Sequence, residues 1–128
     1  MTALSNYLEN ALINATLRGQ AYTAPSTVYL ALFTSDPTDS GTGTEVTGGA
    51  YARQAITFGA PSNGSSSNSA DVLYPTATAA WGTITHFGIY DAATAGNLLY
   101  QFPITTAKTI ASTDQLKVSA GDITVTLA

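Results

Sequence analysis

Residues 3–18 carry apolar side chains at helical spacing. Leu4, Tyr7, Leu8, Ala11, Leu12 and Ala15 fall at i, i+3, i+4, i+7, i+8 and i+11, with Asn6, Glu9, Asn10 and Asn14 on the other face. Thr2 is the expected N-cap, Gly19 stands where a glycine would end the helix, and Arg18 suits the dipole of its last turn. The stripe is expected to dock on the protein's own sheet or, alternatively, on a neighbouring subunit.

Beyond Pro25 the pattern changes to that of strands. Strands are predicted over residues 27–34, 51–58, 70–74, 82–90, 98–102, 115–119 and 122–127, bounded by turn formers such as Asp36-Pro37, Gly59 and Pro75. Within 82–90, strict alternation would place Ile84, His86, Gly88 and Tyr90 on one face and Thr83, Thr85, Phe87 and Ile89 on the other. Ala120-Gly121 suits a tight hairpin between the last two strands. Residues 35–50 and 61–69 read as long loops, the second of low complexity. Short strands without strand–helix alternation predict a mainly β fold. The expected architecture is an antiparallel β-sandwich or jelly-roll-like barrel with one N-terminal amphipathic helix, as a single domain over 1–128.

Composition narrows the function. The chain has 128 residues, no cysteine, one histidine and only 9% charged residues. Disulfide frameworks and thiolate chemistry are excluded. A net charge of −4 with four scattered basic residues argues against nucleic acid as a partner. No apolar run reaches the ~20 residues of a membrane-spanning helix, and no signal peptide is expected. Enzymes need titratable groups held close together. The scarcity of such groups points to a structural or assembly protein, with no cofactor.

The candidate chemistry is thin. His86 and Asp91 would have to meet a hydroxyl to form a triad, and no G-x-S-x-G elbow is present. Asp36, Asp39 and Glu45 offer oxygen ligands for a cation, but they miss the EF-hand spacing and are better explained as turn formers. The glycines near 41–49 match no phosphate-loop pattern. The aromatic residues, Tyr22, Tyr29, Phe33, Tyr51, Phe58, Tyr74, Phe87, Tyr90, Tyr100 and Phe102, are expected first in the core, then at subunit contacts, then as a glycan platform.

Three runs carry a resemblance: LSNYLENALINATLRGQAYTAPSTVYLALFTSDP, GGAYARQAITFGAPSNG and WGTITHFGIYDAATAGNLLY. Over residues 4–127 they resemble a family of small tailed-phage virion proteins usually labelled tail fibre protein. The resemblance implies no catalytic residues. The chain lacks the heptads or repeats of a fibre shaft, and in character it is similar to phage head-decoration, or cement, proteins. The expectation is therefore a structural virion protein on the outer surface of the head, binding the major capsid protein and itself as a trimer. The alternative is a minor tail or adsorption protein bound to other tail proteins. Candidate subunit contacts are Leu4, Tyr7, Leu8 and Leu12 on the helix face, Asp36, Asp39 and Glu45 in the first loop, and Tyr51 and Arg53. Arg53 stands out because charge is scarce; it would pair with a carboxylate across an interface or, alternatively, be a plain surface arginine or part of an intrachain pair.

Overall fold

A computed structural model describes residues 3–127. In chain order the elements are β1 (Ala3–Leu4), α1 (Asn6–Leu17), β2 (Val28–Phe33), β3 (Gln54–Ile56), β4 (Ser65–Ser67), β5 (Val72–Leu73), β6 (Gly82–Tyr90), β7 (Leu98–Ile110), β8 (Lys117–Val118) and β9 (Thr124–Thr126). A five-stranded antiparallel sheet runs β1-β7-β6-β2-β3, and β4-β9 and β5-β8 form two-stranded sheets. The sheets are not closed into a barrel, so the sandwich is the alternative realised.

The centre of the main sheet is buried on both faces. In β2, Leu30 and Leu32 join the large core with Ile56, Val72, Tyr74, Trp81, Ile84, Phe87, Ile89, Val118 and Ile123. Their neighbours Ala31 and Phe33 point the other way, into a small cluster with Tyr90 and Leu98. Because side chains alternate across a strand, burial on both faces gives a continuous apolar run. The first part of the segment 35–50 lies over the smaller cluster, while Val46 joins the large core. In that first part Pro37 is buried, a Cβ on Gly41 would touch Leu98, and one on Gly43 would come within 2.6 Å of the Pro37 backbone.

The structure corrects several expectations. Thr2 lies outside the described residues; the cap is Ser5, whose Oγ accepts the Leu8 N–H at 3.1 Å. The Ser5 N–H donates to the Leu99 carbonyl at 2.9 Å, and its hydroxyl donates to the Leu98 carbonyl. Residues 3–4 therefore pair with β7 rather than opening the helix, and Leu4 leaves the predicted stripe. Gly19, at φ +67°, turns the chain out of α1 where a terminal glycine was expected.

In β6 the alternation is broken. Ile84 pairs with Lys108 and His86 with Pro103, so 104–107 of β7 stand opposite Thr85 alone. This irregularity re-aims Ile84 into the large core beside Phe87 and Ile89. It also lets β7 continue through Pro103, whose missing N–H would interrupt a regular ladder.

Two further readings fail near the C-terminus. Part of the predicted loop 61–69 is β4, joined to β9 by hydroxyl pairs Ser65–Thr126 at 3.0 Å and Ser67–Thr124 at 2.8 Å. Ala120-Gly121 closes no hairpin, because β8 pairs with β5 and β9 with β4. Buried Asn68 organises this crossing: its side-chain amide donates to the carbonyls of Ala70 and Ser119 and its Oδ1 accepts the Ile123 N–H. A buried amide with donors and acceptor all used costs little desolvation.

Candidate functional site

The most developed polar arrangement joins the first loop, the approach to β3 and the turn after β6. Arg53 donates from Nε to Glu45 Oε2 and from Nη2 to Glu45 Oε1, both at 2.9 Å. Its Nη1 donates to the carbonyls of Ala92 and Ala95 at 3.0 and 2.8 Å. Tyr51 O–H donates to Glu45 Oε2 at 2.6 Å and accepts the Leu32 N–H at 3.1 Å. The fork-to-carboxylate geometry is the strong, orientation-specific form of an ion pair. The Arg53 side chain is only 8% exposed and that of Glu45 23%.

Electrostatics follow from this enclosure. Burial by itself would lower the Arg53 pKa, but the hydrogen bonds and charge of Glu45 outweigh it and raise it. Burial, reinforced by the bond to Glu45, pushes the Tyr51 phenol well above its ordinary value. Tyr74 is raised too, chiefly by burial; its O–H donates to the Leu30 carbonyl at 2.6 Å. Tyr51 stacks on Tyr74 and meets Trp81 edge-on, and Trp81 donates its Nε1–H to the Gly49 carbonyl at 2.9 Å. These aromatic residues are internal and do not form an exposed glycan platform.

Three of the proposed contact residues, Glu45, Tyr51 and Arg53, thus come together and engage one another within the chain, the intrachain alternative for Arg53. Leu8 is buried and Leu12 half-buried, on the side of α1 that faces β7. Leu4 lines a groove described below, and Tyr7 is exposed. Asp36 and Asp39 are exposed. Asp36 Oδ1 accepts the Thr38 N–H at 2.8 Å, as a turn former does, and Asp39 Oδ1 accepts from Gln101 at 3.1 Å. The three carboxylates considered for a cation are therefore employed separately.

His86 and Asp91 are also kept apart by their bonds. His86 Nδ1 meets Thr85 Oγ1 at 2.9 Å, and its Nε2 lies 3.9 Å from Asp36. Asp91 instead holds the following turn by accepting from the Asn97 backbone and side chain at 2.7 and 3.0 Å. The His86–Asp91 pairing that a triad would need is therefore not made.

A groove of about 820 Å³ runs between β7 and β9, lined by Phe102, Ile104, Val118, Ile123 and Leu127, with Lys108, Lys117 and Asp122 beside them. The irregular stretch 104–107 forms part of its wall. Sequence reasoning missed this groove, because the β7 segment beyond Pro103 has no apolar alternation to announce it.

A family model described as podophage GP4 fiber I protein gp80 matches residues 3–126, the helix and every strand included. No curated protein matches the sequence.

Proposed function

The chain belongs to the podophage GP4 fiber I protein gp80 family, and from that premise we propose that it is a structural component of the tail fibre apparatus. The observation that carries this reading is the extent of the match. The fibre description attaches to the β domain itself and not to an appended segment. The head-decoration expectation rested on size and composition; the family description favours the tail alternative over it.

In this role the domain acts by holding shape. The Glu45–Tyr51–Arg53 network ties the long first loop to β3's approach and to the turn after β6, so the loops are presented in fixed positions. Its partners are other tail proteins and further copies of itself, most simply as a trimer. Repetition of modest contacts over several copies gives avidity without a catalytic step. Leu4, Tyr7, Asp36 and Asp39 remain the most available of the candidate contacts, whereas Leu8, Glu45, Tyr51 and Arg53 serve the subunit's own fold.

Quantitative mass spectrometry on separated heads and tails tests the proposal. Copies tracking with tails are expected. A large copy number tracking with heads would return the protein to the capsid surface, with the major capsid protein as partner.

A further inference from the structure

Charge is scarce in this chain, and almost all of it is used internally. Arg18 bonds Asn14, Arg53 bonds Glu45, and Lys117 lies 3.5 Å from Asp71. Asp36, Asp39, Asp91, Asp114 and Asp122 each accept hydrogen bonds from nearby backbone or amide groups. Among the described residues, the side chains left without such a partner are one acid, Glu9, and one base, Lys108.

Each stands beside unpaired apolar surface. Glu9, Ile13 and Leu17 fall at i, i+4 and i+8 of α1, one above the other on the side turned away from Leu8. Ile13 is 52% exposed and Leu17 80%. Lys108 lies at the groove between β7 and β9, where Leu127 is 41% exposed over Ile104 and Ile123. The stripe from Glu9 to Leu17 spans about 12 Å of helix, a length suited to a groove.

We propose that α1 of one copy docks in the β7–β9 groove of a second copy. Ile13 and Leu17 enter the groove, and Glu9 pairs with Lys108 at its rim. The occupant is a second copy because both halves of the match lie on this chain: two unpaired charges of opposite sign, Glu9 beside the exposed Ile13 and Leu17, and Lys108 beside a groove lined by Ile104 and the exposed Leu127. The two surfaces are different patches, so the contact is head-to-tail. It closes into a ring, such as a trimer, or propagates as a filament, according to the rotation between copies. The inference does not depend on where in the virion the protein sits.

Sedimentation velocity of the full chain over a concentration series tests it. The unsubstituted protein should assemble with rising concentration. Glu9→Lys and Lys108→Glu should each weaken assembly roughly tenfold, and the two together should restore it. Leu17→Asp should abolish assembly with the circular dichroism spectrum unchanged, since Leu17 supports nothing inside the subunit. A monomer at every concentration overturns the proposal. So does a Leu17→Asp variant that assembles normally, or a double charge reversal that fails to rescue. Rescue is the decisive arm, because damage to the fold cannot produce it.

Discussion

The guanidinium carbon of Arg53 lies 3.6 Å from the centre of the Tyr90 ring, while its nitrogens grip the Glu45 carboxylate. One side chain thus joins a cation–π contact, a bidentate ion pair and two carbonyl acceptors from the turn after β6. It spans the loop, the sheet and the turn at once.

Arg53→Ala is expected to cost about 3 kcal/mol, because it leaves the Glu45 carboxylate without its main partner in a largely enclosed site. Arg53→Lys should recover only part of this, since an ammonium cannot replace the planar fork. Urea unfolding measures both. A loss below about 1 kcal/mol would reduce the network to an ordinary surface pair.

Ser5→Ala is expected to cost about 1–2 kcal/mol. It removes the helix cap and the donor to the Leu98 carbonyl together. Hydrogen exchange should quicken in the first turn of α1 more than in β2.

Gly88→Ala should destabilise by about 1–3 kcal/mol through overpacking. Its Cβ would sit 2.8 Å from Phe33 Cε1 and 3.0 Å from Leu98 Cδ1, between two members of the small cluster. Gly59→Ala is the control: its nearest neighbour would be the Ser67 carbonyl at 3.9 Å, and a change within about 0.5 kcal/mol is expected. Thermal unfolding of the pair separates crowding from the generic effect of removing a glycine.

Alkaline pH should weaken the fold before it breaks covalent structure. Tyr51 and Tyr74 have phenol pKa values raised in the native state, first by burial, whereas the unfolded chain ionises near about pH 10. Below that pH both states keep their protons and stability is full. Above it the unfolded state holds fewer protons, so stability falls as pH rises. Urea midpoints from pH 8 to 11 should be level and then decline. Tyr74→Phe, already weakened by loss of its bond to Leu30, should decline less steeply.

Much of the fold was legible because its longer strands are β-favouring apolar runs bounded by turn formers. Leu30 and Leu32 against Ala31 and Phe33 define β2, and 82–90 has the bounds of β6. What escaped depends on contacts distant in sequence. Ser65–Ser67 has no apolar signal and becomes a strand only because Thr124 and Thr126 lie across from it. Pro103 reads as a stop, yet it sits where the ladder is already irregular. Ala120-Gly121 has the chemistry of a hairpin turn, but Asn68 diverts the flanking strands to different partners. Of the site, the Arg53–carboxylate pair was foreseeable from its chemistry. That Glu9 and Lys108 lack partners is visible only when every other charge has been placed in space.

The attachment of α1 has a mechanical meaning for a protein of a fibre family. The helix is fixed at its N-terminal end, by Ser5 to Leu98 and Leu99 and by two residues of β1 paired with β7. Tension entering through the far end of the helix would divide between β2, which follows it in the chain, and β7, the longest strand of the main sheet, reached through Ser5 and β1. At β7 it would act on a short lap joint of two residues at the edge of the sheet, while β2 is held on both sides by β6 and β3. The two-residue lap of β1 would yield before the longer pairings of the sheet do, a graded release in place of a single rupture.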